Sequence, residues 1–316
     1  MNGNEISEKY RKPLFSGVVI GMVVLVVLLM LSDIRGVIGV FSRFELRILP
    51  LILVLAPLNY ILRFIKWNYY LKLAGLRPDP KVNRLIFMSG LSMTITPGKL
   101  GELLKCYLLR EHMGAPYSTT SSIVMAERLT DAIAMVILAA FGSLAYRQGI
   151  YALLVISFLL FIVLILFRFD GIFRSFSGLA GKTAFLKRFA GFLTAFQQNA
   201  KKLFTVKSLI FAVGIGVLSW GLEGLVIFLA VKAFGGDISV LGSVFVVSFS
   251  SLLGGVSFLP GGLGVAEGSI MALLVLTGVG KEMAAATTLL TRFSTLWLGV
   301  GIGLVGLYLV QKELFK

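Results

Sequence analysis

The chain has 316 residues, of which 57% are hydrophobic and 14% charged, with a formal net charge of +15. Its mean hydropathy of +0.93 is typical of a membrane protein and excludes an ordinary soluble domain. The cations are spread among apolar runs without a recognition fold, which excludes a nucleic-acid partner. The P-loop, GxSxG, HExxH and CxxC patterns are absent, and Cys106 and His112 stand alone. We therefore expect no cofactor and no metal.

Several apolar runs are long enough to cross a hydrocarbon core about 30 Å thick. The predicted full spans are residues 14–31, 46–65, 117–146, 150–167, 209–231 and about 284–310. The first run is too long for a removable signal peptide and is therefore interpreted as a retained helix. The second run is interrupted by a proline. These runs predict an all-α polytopic integral membrane protein with about six full spans.

Two further apolar segments are broken by proline and glycine. Residues 85–96 are too short to cross and run directly into Pro97, so we expect this segment to enter the membrane and turn back. Residues 238–259 and 261–279 form a second broken pair around Pro260. The fold class is therefore six spans plus two broken or re-entrant segments.

The distribution of Lys and Arg predicts the topology, because short cytoplasmic loops carry an excess of both. The predicted cytoplasmic cations are Lys9, Arg11, Lys12, Arg63, Lys66, Lys72, Arg77, Lys81, Arg84, Lys312 and Lys316. The basic segment 168–207 also carries phenylalanine and leucine at helical spacing, which predicts amphipathic helices on the cytoplasmic surface. Its positive charge either attracts anionic lipid head groups or only keeps the segment on the cytoplasmic side. We expect a multi-pass protein of the cell membrane with both termini in the cytoplasm.

One phrase, PGxLG, occurs twice. Pro97, Gly98, Leu100 and Gly101 recur in register as Pro260, Gly261, Leu263 and Gly264. An acid follows each copy, and an arginine lies in the next apolar run. Within one transmembrane domain over residues 1–316, this predicts repeat halves of roughly 46–167 and 208–312 with inverted topology, meeting at a binding site. The alternative is that PGxLG marks ordinary loops at the membrane surface.

Charged residues inside apolar runs are the candidate site, since each costs roughly 2.5 to 3.5 kcal/mol on insertion scales. They are Glu127, Arg128, Asp131, Glu223, Glu267 and Arg292. Glu127 and Asp131 share one helical face, and we expect Arg292 to pair with one of them. The group is either a polar path for a lipid head group or coupling proton, or an ion-pair cluster that pins helices together.

The broken segments suggest the ligand. Helix N-termini created by such breaks attract anions, so a phosphate-bearing head group is a natural candidate. The helix-break residues are Pro97, Gly98, Gly101, Pro260, Gly261 and Gly264. Lys99 and Lys105 flank Glu102 and are interpreted either as cations that reach the membrane surface or as a phosphate-binding pair.

These motifs, TPGKLGELLK, AERLTD, LPGGLGVAEG and the late TR of LLTRF, resemble the lysylphosphatidylglycerol synthase transmembrane family in order and spacing. The segment at residues 62–75 resembles the family's basic-aromatic stretch. The resemblance implies a bacterial or archaeal flippase domain that moves aminoacylated phosphatidylglycerol between leaflets. The positions that match the family's pattern are Pro97, Gly98, Gly101, Glu102, Glu127, Arg128, Asp131, Pro260, Gly261, Gly264, Glu267 and Arg292.

The first functional hypothesis is a lipid translocase for an anionic or phosphate-bearing lipid, such as an aminoacyl-phospholipid or a lipid-linked glycan. Its transport is passive or ion-coupled, with Glu127, Asp131, Glu223 and Glu267 as candidate proton carriers. The chain ends at Lys316 without a soluble aminoacyl-transferase domain, so lysine transfer is not expected. The alternatives are a membrane-embedded transferase with Glu127 or Asp131 as base, and a non-catalytic partner of a separate lipid-modifying synthase.

Overall fold

A computed structural model describes residues 3–30, 32–96, 102–143, 154–155, 157–158 and 195–314. Within these ranges the regular structure is helical throughout, without strands. Three stretches are long and apolar enough to cross a membrane, namely Leu46–Leu73, Val206–Ala233 and Lys281–Leu314. Shorter apolar helices accompany them at Leu14–Val27, Val240–Val256 and Pro260–Leu276. The protein is an all-α multi-pass membrane protein, as the sequence predicted.

The described residues of the first half form six α-helices. They are α1 (Gly3–Met30), α2 (Ile34–Phe41), α3 (Leu49–Leu73), α4 (Pro80–Ser92), α5 (Leu104–Met113) and α6 (Tyr117–Ser143). Asp79 caps α4 by accepting hydrogen bonds from the backbone N–H groups of Lys81 and Val82. These bonds, led by that from Val82, lower the pKa of Asp79 below its ordinary value. Gly114 ends α5 in the left-handed conformation that favours glycine.

The second half repeats a similar order of elements. Its helices are α7 (Val206–Ala233), α8 (Val240–Val256), α9 (Val265–Leu276), α10 (Lys281–Arg292) and α11 (Leu298–Leu314). Thr205 and Ser239 cap α7 and α8 through their hydroxyl groups. A π-helical segment, Phe293–Trp297, joins α10 to α11. The predicted break at Pro260 is confirmed as a 3₁₀ turn, Pro260–Gly262, between α8 and α9.

The second predicted span, residues 46–65, lies within a helix that extends beyond it. Helix α3 passes through Pro57 without ending and continues to Leu73. Arg63 and Lys66 therefore lie on a regular helix, and Lys66 is fully buried. Their charges are tolerated in an apolar helix because charged side chains of neighbouring helices face this side of α3.

Close packing of helices depends on two glycines of α11. A Cβ at Gly303 would lie 2.0 Å from the backbone nitrogen of Ser92, and one at Gly306 would lie 2.6 Å from the Cβ of Met88. Helix α11 thereby lies backbone to backbone against α4. Helix α6 packs in turn against α8, and α3 packs against α7. Each half therefore contributes helices to the packing of the other.

The ends of the two broken segments meet in the interior. Helix α4 ends in a 3₁₀ turn, Met93–Ile95, directly before the first PGxLG motif. A Cβ on Gly261 in the second motif would lie 3.3 Å from the Cα of Ile95. Gly261 has a φ of +60°, which glycine adopts readily. The turn before the first motif is thus in close contact with the second break.

Several predictions fall outside the described residues. These are the roles of Pro97, Gly98, Lys99 and Gly101, most of the span at 150–167 and the basic segment up to residue 194. Of that segment, residues 195–203 are described and are helical, as its periodicity predicted.

Candidate functional site

Six charged side chains from α3, α5 and α6 and the turn before α5 form one cluster, which we call the α6 charge cluster. Its members are Lys66, Glu102, Lys105, Glu127, Arg128 and Asp131. Three cations face three carboxylates, so the formal charges balance. Glu127 and Asp131 are buried one turn apart on the inner face of α6, as their spacing predicted. Balanced pairing is the condition under which ionised groups are tolerated inside a membrane protein.

Two lysines neutralise the two acids of α6. Lys66 donates to Asp131 Oδ1. Lys105 Nζ donates to Glu127 Oε2 at 2.6 Å, and it lies 4.2 Å from the ring centre of Trp67. Of the two interpretations of Lys105, that of a cation at the membrane surface does not hold, because α5 directs this side chain into the core, where an acid and an aromatic face replace its water shell.

Arg128 is the member of the cluster that retains access to an open space. Its Nη1 lies 3.3 Å from Glu102 Oε1, and its Nη2 lies 3.2 Å from Asp131 Oδ2. The Arg128 side chain is 22% exposed, whereas those two acids are at most 4% exposed. Its Nε is buried and has no hydrogen-bond partner among the described residues. The acids thus lie behind a guanidinium that still has donor capacity.

The second half contains a comparable arginine. Arg292 Nε donates to Glu267 Oε1 at 2.6 Å, and Nη2 donates to the carbonyl oxygen of Gly261 at 3.1 Å. Glu267 Oε2 in turn accepts the backbone N–H of Gly264 at 2.7 Å, which caps α9. One carboxylate therefore fixes both the start of a helix and the orientation of the arginine.

The predicted pairing of Arg292 with Glu127 or Asp131 is wrong. Both α6 acids already have lysine partners, and the break at Gly261 brings Glu267 to Arg292 within the same half. The sequence resemblance between the halves therefore marks two separate arginine–carboxylate groups.

Glu223 on α7 belongs to a third polar group. Asn59 Nδ2 on α3 donates to Glu223 Oε1 at 2.6 Å, and Ser219 Oγ donates to Asn59 Oδ1. Asn59 and Ser219 are buried. This chain of hydrogen bonds joins the two long apolar helices α3 and α7 through polar atoms that would be costly to leave unpaired.

These groups converge on a single cavity, which we call the central cavity. Its described lining includes Tyr60, Arg63, Thr94, Arg128, Trp220, Glu223, Gly261 and Arg292. Both broken segments contribute, one through Thr94 and the other through Gly261. The cavity holds about 70 Å³, which is room for several waters at roughly 10–15 Å³ each or for a group of comparable size.

Three arginines and one carboxylate are the charged residues among the described lining. Arg63 comes from α3, and it forms no ion pair with any residue that the structure describes. Arginine presents five N–H donors in a planar fork that matches phosphate and carboxylate oxygens. The wall of the central cavity is therefore suited to an anion, with its counter-charges mostly buried behind the arginines.

Sequence reasoning missed Arg63, Tyr60, Asn59 and Lys66 as site residues. A signal for three of them was present, because positions 59, 63 and 66 follow the i, i+4, i+7 spacing of one helical face within an apolar run. The basic character of Arg63 and Lys66 had indicated only that they face the cytoplasm. Among the described residues, no group of three or more His, Cys, Asp or Glu is arranged to hold a metal ion.

Comparison with known proteins identifies one family and several relatives of similar description. A model of the family described as "Lysylphosphatidylglycerol synthase TM region" matches residues 17–303. Among curated proteins, the chain is similar to a "UPF0104 membrane protein" of Pyrococcus horikoshii, with 24% identity over 90% of this chain and 94% of that one. A protein of the same description from Methanocaldococcus jannaschii is 25% identical over 71% of this chain and 95% of its own length. A third, from Methanothermobacter thermautotrophicus, is 25% identical over 84% of each chain.

Proposed function

The chain belongs to the lysylphosphatidylglycerol synthase transmembrane-region family, and from this membership and the central cavity we propose that it is a lipid translocase. The cargo is a phosphate-bearing or anionic membrane lipid, such as an aminoacyl-phospholipid or a lipid-linked glycan. The polar head group crosses through the central cavity while the hydrocarbon chains remain in the bilayer. The translocase acts in the cell membrane, with both chain termini in the cytoplasm.

The observation that carries this proposal is the convergence of Arg63, Arg128 and Arg292 on one cavity between helices of a membrane protein. A head-group phosphate loses its hydration inside the bilayer and needs charged donors to replace water. Arg128 and Arg292 are held in place by Glu102, Asp131 and Glu267, so they need little reorganisation to receive an anion.

The proposal includes an inverted repeat of the two halves. It is supported by the order of elements, in which a long helix, a broken segment and an arginine-bearing helix occur twice. It is also supported by the exchange of partners, since α4 of one half packs on α11 of the other and α8 packs on α6. Alternate opening of such halves around a fixed site is how repeat transporters expose a ligand to either side.

Reconstitution into vesicles tests the proposal. Wild-type protein is expected to accelerate leaflet exchange of a fluorescent phosphatidylglycerol over that in protein-free vesicles. Arg63→Gln is expected to slow this exchange by about tenfold or more, since a hydrogen bond to a charged group contributes roughly 1.5–3 kcal/mol. Arg63 is chosen because its loss leaves no buried acid without its partner among the described residues.

The matched control is Arg43→Gln, which removes an exposed arginine outside the cavity and is expected to leave exchange unchanged. A fluorescent phosphatidylcholine serves as the control lipid. Exchange equal to that of empty vesicles, across phosphatidylglycerol, an aminoacyl-phospholipid and a lipid-linked glycan phosphate, would refute a translocase function.

A further inference from the structure

An apolar groove lies beside the central cavity, between α3, α4 and α11. Its lining includes Pro57, Ile61, Phe64, Phe87, Met88 and Ile302. It holds about 250 Å³, and Arg84 is the charged residue among its described lining. Ile61 is 54% exposed, on a helix that is apolar and long enough to cross the membrane. The groove therefore opens toward the hydrocarbon region of the bilayer.

The groove and the central cavity share part of one wall. Tyr60 and Leu91 line both spaces. The Tyr60 hydroxyl donates to the carbonyl oxygen of Thr295 at 2.6 Å, across to the π-helical segment. A Cβ at Gly299 would lie 2.6 Å from that hydroxyl oxygen, so glycine leaves the space that Tyr60 occupies. Tyr60 and Leu91 thus form the part of the wall that the two spaces share.

The groove ends at a basic surface. Arg84 also lines two neighbouring depressions. One contains Lys312 and the ion pair of Lys81 with Glu313, and the other contains Lys72 and Arg77. Arg84 lies on α4 and Thr94 lies in the 3₁₀ turn that follows it. Their separation of ten residues corresponds to about 15 Å at the helical rise of 1.5 Å per residue, so the central cavity lies roughly that far along the α4 axis from the basic surface.

We propose that this groove is a lateral lipid-entry site. One hydrocarbon chain of a phosphate-bearing lipid lies in the groove while its phosphate first binds Arg84 and then passes Tyr60 and Leu91 to reach Arg63. The chain stays in an apolar environment throughout, so that only the head group exchanges its partners. The inference rests on the proposed function for the transfer step, whereas binding of the lipid in the groove does not depend on transfer.

The binding step is tested by a photoreactive benzoylphenylalanine placed at Ile61, with the same probe at Leu51 as control. The two positions are on α3 and are similarly exposed, at 54% and 52%, but Leu51 is outside the groove. The protein is reconstituted in vesicles with equal amounts of phosphatidylglycerol and phosphatidylcholine. The probe at Ile61 is expected to capture phosphatidylglycerol with about fivefold enrichment, from the attraction of a nearby basic residue.

Capture at Leu51 is expected to follow the bulk lipid ratio. Capture at Ile61 in that same ratio would overturn the groove as a phospholipid site. Enrichment at Ile61 supports it, even if wild-type protein does not accelerate leaflet exchange and the translocase function fails.

The transfer step is tested by Ile61→Asp, which places a carboxylate where the hydrocarbon chain of an anionic lipid would lie, against Leu51→Asp. Ile61→Asp is expected to slow phosphatidylglycerol exchange at least tenfold, whereas Leu51→Asp leaves it unchanged. Binding of phosphatidylglycerol at Arg84 is measured in parallel by the loss of Ile61-probe enrichment in Arg84→Gln, and unchanged enrichment would overturn Arg84 as the first phosphate contact. If wild-type protein exchanges lipid and Ile61→Asp does so at the same rate, the entry route is wrong while the translocase function stands.

Discussion

Arg292 is bound to Glu267 across the second break, with Nε 2.6 Å from Oε1. The same guanidinium reaches the carbonyl oxygen of Gly261, so one side chain connects α10, α9 and the turn between α8 and α9. This arrangement orients Arg292 toward the central cavity while its counter-charge stays buried behind it. We therefore expect transport to depend on the planar shape of the Arg292 guanidinium as well as on its positive charge.

Arg292→Lys tests that expectation. Lysine keeps the positive charge but has a single nitrogen, which cannot bind Glu267 and Gly261 in the same planar arrangement. We expect phosphatidylglycerol exchange to fall by about tenfold or more, because one hydrogen bond to a charged group contributes roughly 1.5–3 kcal/mol. Exchange in vesicles measures the effect, and thermal unfolding in detergent monitors the fold. Wild-type exchange in a folded variant would show that the charge alone suffices.

The buried pair of Lys105 and Glu127 is expected to show strong coupling. Lys105→Met leaves Glu127 buried without its cation and should lower the free energy of unfolding by about 3–5 kcal/mol. The double variant with Glu127→Gln removes both charges and should recover most of that loss. Unfolding of the two single variants and the double variant in detergent gives the coupling energy. Additive losses in the double variant would contradict an ion pair at this position.

The packing of α11 on α4 gives a test within one helix. Gly303→Ala places a methyl group against the backbone of Ser92 and should destabilise the protein by about 1–3 kcal/mol or more, as overpacking does. Gly301→Ala meets nothing within 4 Å and should be neutral or stabilise by roughly 0.4–1 kcal/mol through helix propensity. Melting temperatures compare the two variants. Equal stability would mean that α4 and α11 are further apart than described.

Contact between the turn before the first PGxLG motif and Gly261 in the second predicts a specific disulfide. In a Cys106→Ala background, Ile95→Cys with Gly261→Cys should crosslink on mild oxidation, because the Cβ position of Gly261 lies 3.3 Å from the Cα of Ile95. The positive φ of Gly261 adds roughly 1–2 kcal/mol of strain in the variant. Protease cleavage in a loop followed by electrophoresis detects the bond. The control pair is Ile95→Cys with Gly278→Cys, whose Cβ meets nothing within 4 Å; crosslinking at the same rate would remove the evidence for contact.

Tyr60→Phe tests the wall between the groove and the cavity. The variant keeps the ring but loses the hydrogen bond to Thr295, which at about 0.5–1.5 kcal/mol corresponds to roughly a two- to tenfold easier displacement. We expect faster phosphatidylglycerol exchange by that factor if displacement of Tyr60 limits the rate. Exchange slower than wild type, in a variant of unchanged melting temperature, would show that the hydroxyl serves binding instead.

Much of the architecture could be predicted from the sequence. Hydropathy and run length give an all-α membrane protein, and the proline at 260 correctly locates the second break. The i, i+4 spacing of Glu127 and Asp131 correctly places both on one buried face of α6. These features follow from helical periodicity and from the cost of exposing polar groups to lipid. Both effects depend on one segment alone, so they can be predicted without knowing which helices pack together.

The partners of the charged residues were decided by tertiary structure. Positive-inside reasoning treated Arg63 and Lys66 only as cytoplasmic cations, whereas α3 continues past them and buries Lys66 against Asp131. Similarity between the halves suggested a pairing across the repeat for Arg292, which instead binds Glu267. A helix sequence shows which face is polar, but which helix packs against that face depends on crossing angles and the close approach allowed at glycines such as Gly303. Hydropathy and spacing therefore establish that charged residues lie inside apolar segments, and the packing of the helices brings three arginines to one cavity.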